Sequence, residues 1–265
     1  FGTARLGHKL AFSLRGKVAD RRFGAARRIS LGESSLLFAD RRPEPVITYA
    51  PDDTDHATQA TAGIAYSLAS PGRFSLDASL SVTRYRKSID FASGLQVPEV
   101  SDHPVTGSLV GSLFLTRQLT LFGGQVRGFE EVSAAPANAS NRGEAPPAIR
   151  TSQSDIGLRW AVTPRLSAVT SAFIVSKPYY NVDAAGIYRE LGKSSSKGLE
   201  FSLAGTVRPG LSLVAGTVLY DPRISGVLVE SGAIGPRPIG SIRRRSTVNL
   251  DWRLRGGTSP LSIDA

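Results

Sequence analysis

Three groups of side chains in this sequence are of types that could do chemistry. Asp52, Asp53, Asp55 and His56 make its densest acidic cluster, and carboxylates beside an imidazole can hold a divalent cation. The alternating ligand spacing of a calcium loop is missing, so a solvated loop tip is the plainer expectation. His8 and His103 stand alone, without the serine or carboxylate spacing of a hydrolase, and no catalytic role is expected of them. Tyr179 and Tyr180, with Tyr188 and Arg189 further along, form the third group, and Arg142 is a weaker member. Aromatic rings and a guanidinium fork can hold a flat, anionic chelate by stacking and charge. The competing expectation is structural, with tyrosines anchoring an interface and a solvated arginine. No catalytic residue, metal ligand or cofactor is expected.

The elements that position these residues announce themselves by a period of two. Phe74, Leu76, Ala78, Leu80 and Val82 alternate with Ser75, Asp77, Ser79, Ser81 and Thr83, giving one apolar and one polar strand face. The pattern recurs around Leu199, Phe201 and Leu203, around Ile156, Leu158 and Trp160, and near both ends of the sequence. Short turns fall at Ser70-Pro71-Gly72, Thr116-Arg117-Gln118, Thr163-Pro164-Arg165, Arg208-Pro209-Gly210 and Arg255 to Ser259, spaced by about 46 residues. Longer polar loops lie between them: Ala19 to Ala57, Lys87 to His103, Val132 to Arg150, Tyr179 to Lys193 and Ile224 to Gly240. Strands of about 10 to 14 residues, short turns at one end and long loops at the other predict an antiparallel up-and-down transmembrane β-barrel. Its turns would be periplasmic and its loops extracellular. A soluble sandwich also alternates, but its strands are usually shorter, about 5 to 6 residues, and its loops do not sort by end.

Two aromatic belts are expected at the strand ends: Tyr66, Phe74, Trp160 and Trp252 by the turns, and Tyr85, Phe129, Tyr179, Tyr180 and Tyr220 by the loops. Asp77, Asp155, Arg159, Glu200, Asp251 and Arg253 fall on the polar parity, where lateral charge ladders are expected. On the lipid face a midplane arginine would cost about 2–4 kcal/mol.

Composition agrees with export. The 265 residues contain no cysteine, which removes disulfides and thiolate metal sites, and no methionine. No initiator Met or leader signal stands at Phe1, so a segment of a longer protein is expected. No apolar stretch approaches the roughly 20 residues a membrane helix needs, which leaves a barrel as the spanning structure. The formal charge of +10 raises nucleic acid as a partner. The arginines and lysines are scattered, however, and no recognition motif accompanies them, so none is expected. Lipopolysaccharide phosphates would suit the same side chains.

Between residues 150 and 225 the sequence resembles the barrel of TonB-dependent siderophore receptors. Gln153-Ser154-Asp155-Ile156-Gly157-Leu158-Arg159 resembles that family's Gln-x-Glu-x-Gly-x-Lys/Arg strand, with Asp155 where the family prefers Glu. Thr163-Pro164-Arg165-Leu166, Phe173 and Lys177-Pro178 follow at the family's spacing. Lys197-Gly198-Leu199-Glu200 is similar to its Arg/Lys-Gly-Val-Glu strand. Arg208-Pro209-Gly210-Leu211, Gly216 and Tyr220-Asp221 extend the match.

The resemblance implies a barrel of about 22 strands, of which residues 1–265 would be a partial domain of about half the wall. About ten complete strands and the start of another are expected. The plug domain, TonB box and terminal strands would lie elsewhere. It also implies outer-membrane uptake of ferric siderophores driven through the plug by the TonB complex, with lipid and lipopolysaccharide around the wall. A porin-like diffusion channel, a receptor for a vitamin or glycan, and an adhesive surface barrel are the alternatives.

Overall fold

The computed structural model describes residues 6–24, 51–131, 133–253 and 262–264. Its strands in chain order are β1 (Gly7–Phe23), β2 (Asp53–Ser70), β3 (Phe74–Asp90), β4 (Val100–Asp102), β5 (Val105–Phe114), β6 (Leu119–Glu130) and β7 (Ile149–Thr163). They continue with β8 (Leu166–Val182), β9 (Tyr188–Arg208), β10 (Leu211–Gly226), one turn of helix α1 (Val227–Glu230), β11 (Arg244–Arg253) and β12 (Ser262–Asp264). Every pairing is antiparallel, and apart from the short β4 each strand pairs with its sequence neighbours in an open sheet from β1 to β12. Among the described residues, ten long strands are thus followed by the start of an eleventh. No described helix is long and apolar enough to cross a membrane.

Register turns the alternation of each strand into two continuous faces. One lateral row reads Leu119, Trp160, Ala168, Leu203, Ala215 and Val248 across β6 to β11. Another reads Phe12, Ile64, Leu80 and Gly107 across β1 to β5. The opposite face carries Ser13, Gly63, Ser81 and Thr106, with cross-strand hydroxyl pairs Thr61–Thr83 and Ser79–Ser108, both at 2.7 Å. Among the described residues nothing covers the apolar face of this single layer. Phe12 is 75% exposed, Leu14 87% and Trp160 50%. At about 25 cal/mol per Å² of apolar surface, water is a poor neighbour for that face and hydrocarbon a good one.

The short turns lie where the spacing predicts them, except the one over Arg255 to Ser259, which falls outside the described residues. Gly72 and Gly210 take positive φ values of 70° and 81°, a conformation glycine adopts without a Cβ clash. Three of the five long connections, β1–β2, β3–β4 and β8–β9, are shorter than expected because the strands outrun the apolar band. β1 reaches Phe23, β2 starts at Asp53, and β8 and β9 carry Tyr179, Tyr180, Tyr188 and Arg189, which the sequence placed in a loop. Beyond the band both faces are polar and alternation fades, while backbone pairing continues. A register shift at Tyr179/Tyr180 disguises that segment further.

The aromatic belt beside the turns is present, since Tyr66, Phe74, Trp160 and Trp252 all stand on the apolar face. The belt expected by the loops is not uniform. Tyr85 lies on the polar parity and is 1% exposed, with Phe129 packed against it at 6.2 Å between ring centroids. The six polar-face charges do lie on that face, but among the described residues none forms an ion pair. Arg159 instead sits over the Phe122 ring at 5.8 Å.

The glycines in the 150–225 stretch have a packing reason. Gly157 lies opposite Phe122, and Gly198 opposite Phe173. A Cβ at either position would collide with the ring and with a neighbouring strand carbonyl. We therefore expect Gly157→Val and Gly198→Val each to destabilise the folded sheet by about 1–3 kcal/mol. Gly16→Ala, with nothing within 4 Å of the added carbon, should leave it unchanged. Urea midpoints in detergent read the difference, and equal midpoints for all three would refute the packing role.

Candidate functional site

The polar face is open along most of its height and covered at the long-loop end. There Thr83, Tyr85, Lys87 and Ile89 are buried while Arg84 and Arg86, pointing the other way, are exposed. The cover is the connection between β6 and β7. Ala148 joins Tyr85 and Ala57 in a small apolar core, with Val100 and Phe129 against it. The middle of the connection is folded on itself by Ala135 N–H to the Glu144 carbonyl (2.8 Å) and Gly143 N–H to the Ala135 carbonyl (2.9 Å). Its far side docks on the β8–β9 hairpin. Tyr188 N–H donates to Asn141 Oδ1 (2.8 Å), Asn141 Nδ2 donates to the Tyr188 carbonyl (3.0 Å), and Ser140 N–H donates to the Gly186 carbonyl (2.7 Å). The loop thus bridges β2–β3 and β8–β9 across the shorter β5 and β6.

Four charges hold its near end. Arg21 donates to both Glu131 oxygens, at 2.8 and 3.1 Å, and Lys87 Nζ donates to Glu131 at 2.7 Å. Lys87 also reaches Asp55 at 3.1 Å, and Arg21 reaches it at 3.5 Å. With two cations and two anions the group is neutral, and Lys87 is 4% exposed only because both of its charge partners come with it. Burial pushes the Glu131 carboxyl up, but the hydrogen bonds and charges of Arg21 and Lys87 outweigh it and hold the group below its ordinary range. A cavity of about 400 Å³ opens beside these four side chains, Ile89 and Ser133.

Of the residues singled out from the sequence, the structure brings some together. The Tyr180 and Tyr188 rings stand 5.8 Å apart at 43°. Arg142, exposed, occupies the turn next to Asn141, so the loop carries it to the same hairpin. Tyr179 follows the opposite strand parity from Tyr180, and its hydroxyl accepts from Asn181 Nδ2 at 2.9 Å. Arg189 donates to Asp183 at 2.6 Å, and this hydrogen bond holds the Asp183 carboxyl below its usual range.

The acidic cluster is dispersed along β2. Asp53 accepts from Ala92 N–H at 2.8 Å, Asp55 belongs to the four-charge group, and His56 pairs with Asp20. Among the described residues no group of three metal-ligating side chains forms. His8 bonds the Tyr66 hydroxyl at 2.6 Å at the turn end. Arg21, Lys87 and Glu131 were not singled out from the sequence. Arg21 and Glu131 are 110 residues apart, and no local pattern signals such a pairing.

Solved structures share this fold. The chain superposes over 100% of its length on 41% of the ferric-catecholate import receptor of Escherichia coli K12, with a TM-score of 0.78 and 15% identity. It covers 42% of the ferric preacinetobactin receptor of Acinetobacter baumannii (TM-score 0.66, 18% identity, 92% of this chain). It also covers 29% of the ferripyoverdine receptor of the Pseudomonas aeruginosa outer membrane (TM-score 0.64, 14% identity, 82% of this chain). The fold is therefore that of siderophore-receptor barrel walls, and the chain spans less than half the length of each. No protein-family model and no curated protein matches the sequence.

The tether has a pH consequence. A carboxyl with a lowered folded-state pKa contributes stability above its unfolded value of 4.5, and that stability is lost as the pH falls through the folded one. Deuterium uptake at Ala135 and Gly143, corrected for intrinsic exchange, should be slow at neutral pH and rise only below that range. Glu131→Gln should give fast uptake already at pH 7, with a local cost on the order of 3 kcal/mol. Unchanged protection in the variant would remove Glu131 from the role of tether.

Proposed function

We propose that the chain is wall from a bacterial outer-membrane receptor that takes up ferric siderophores, about half of a 22-stranded barrel with periplasmic turns and extracellular loops. The observation that carries this reading is full-length superposition on an import receptor for ferric catecholates, by a sheet whose two faces suit lipid and water. In this reading residues 1–265 belong to one barrel domain, with the plug and the terminal strands in other parts of the protein. The wall does no covalent chemistry. The plug would occupy the polar face, and the TonB complex would drive its rearrangement with proton-motive force.

The ferric chelate would bind at the extracellular end, where the β6–β7 loop and the β8–β9 hairpin meet. Tyr180 and Tyr188 offer ring faces there, and Arg142 and Arg189 offer charge for an anionic ligand. Tyr179 would contribute from the opposite face of the hairpin. Outer-membrane lipid and lipopolysaccharide would cover the apolar face.

A porin-like channel is the second reading, and the loop folded on the polar face favours it. Energy coupling separates the two. In the receptor reading, the full protein becomes more abundant under iron starvation, its deletion slows growth on one ferric siderophore, and uptake stops when proton-motive force is collapsed. Uptake indifferent to that force would establish the channel, and unchanged growth across a siderophore panel would point to a vitamin or glycan. Tyr180→Ala with Tyr188→Ala should weaken chelate binding about tenfold, equal to about 1.4 kcal/mol of lost stacking.

A further inference from the structure

We propose that the turn end of the wall is a docking surface for a carboxylate-bearing polymer, the peptide-crosslinked glycan of the periplasm, and that arginines in four successive short turns bind it. The inference rests on the reading that these turns face the periplasm, and it goes beyond uptake to what holds the protein in place.

The turns β2–β3, β5–β6, β7–β8 and β9–β10 carry Arg73, Arg117, Arg165 and Arg208, one each, and no Asp or Glu. All four arginines are exposed, and among the described residues none forms an ion pair. The loop end differs, since Asp55, Glu131, Asp183 and Asp221 there all pair with Arg or Lys. The turns also hold their arginines firmly. Arg73 N–H donates to the Ser70 carbonyl at 3.0 Å, and Arg165 N–H donates to Thr163 Oγ1 at 3.2 Å. Thr116 Oγ1 accepts from the N–H groups of Gln118 and Leu119 at 3.1 and 3.0 Å. Successive short turns lie two strands apart, so the row repeats every ~10 Å and spans about 30 Å. Side chains set out on rigid turns lose less freedom when a partner docks.

Strand parity separates this partner from others. The Arg73 carbonyl accepts from Phe114 N–H and the Arg165 carbonyl from Thr206 N–H, both at 2.8 Å. Both residues therefore extend the rows of Ser75 and Ser167 on the polar face, away from phospholipid headgroups. Arg208 leans the other way, over the Trp252 ring at 5.9 Å. An occupant of the polar face would meet both signs of charge, Asp77 and Asp155 as well as Arg159. The turns offer guanidinium forks alone, set among Ser, Thr, Pro, Gly and Gln. That surface suits repeated charge rather than one shape. A guanidinium takes a carboxylate in a two-pronged pair, and such contacts repeated along a polymer add through multivalency. The peptide stems of the periplasmic glycan present free carboxylates in that repeated way.

The test is co-sedimentation of the full-length protein, in detergent, with isolated peptidoglycan sacculi. Wild type should pellet with them, and should stay in solution at about 0.5 M salt or when the sacculus carboxylates have been amidated. Arg73→Gln, Arg117→Gln, Arg165→Gln and Arg208→Gln combined should raise the half-saturating amount of sacculi at least about tenfold. Arg84→Gln, Arg127→Gln, Arg244→Gln and Arg245→Gln remove the same charge from outside the turns and should pellet like wild type. Heat-modifiable migration shows that each variant is folded. Equal pelleting of the two variants, unchanged pelleting with amidated sacculi, or displacement by phosphatidylglycerol vesicles would each overturn the proposal. Orientation is checked separately. Residues 1–265 contain no cysteine, so Gln118→Cys marks one turn, and a membrane-impermeant maleimide should not label it in intact cells. Labelling there would overturn the periplasmic placement. Pelleting is read without uptake, so failure of the siderophore reading would leave this result standing, and the reverse also holds.

Discussion

Lateral backbone hydrogen bonding is the constraint on which the rest of this structure depends. Each long strand gives its N–H and C=O groups to the strands beside it, leaving side chains to face only two ways. Hydrocarbon offers no alternative partners, so a sheet that meets lipid must satisfy its backbone within itself. Side-chain parity then decides solvent. A shift of register by one residue would move Phe12, Ile64 and Leu80 to the polar side and Ser13 and Ser81 to the apolar side. The loss would be paid along the whole strand, and this is why the register is strongly specified.

Above the apolar band that specification relaxes, and other interactions take over. β8 and β9 continue as a polar hairpin, and the β6–β7 loop spans between it and β2–β3. The loop is held by a neutral four-charge group at one side and by Asn141 at the other. A buried lysine is tolerated there because two carboxylates accompany it; loss of either leaves charge without compensation. The chelate-binding surface we propose would thus be attached to a tethered loop, and tether strength would bear on ligand access.

Steric matching governs the polar face lower down. Phe122 and Phe173 occupy the space vacated by Gly157 and Gly198, and the ring of Phe122 also receives Arg159. Charges expected to form lateral ladders are instead separated by small or aromatic neighbours. Asp155, for example, lies between Gly124 and Phe173 in register. Below the four-charge group, and among the described residues, the face is polar without being knit by ion pairs, leaving its acids and bases for water or for whatever fills the space before it.

The sequence by itself determined the strands, their two faces, the four described short turns and the sorting of loop lengths. These follow from local rules: alternation has a period of two, and Pro-Gly turns need particular φ values. It also determined the count of ten long strands and a beginning. Only tertiary structure decided where the strands stop, since Tyr179 to Arg189 lost its alternation before it lost its pairing. Only tertiary structure showed that Tyr85 is buried beneath a loop, that Asp55 is a partner of Lys87, and that Arg21 meets Glu131 across 110 residues. Such pairings depend on which strands become neighbours and how far a loop folds back, and no periodicity within a single segment encodes that distance.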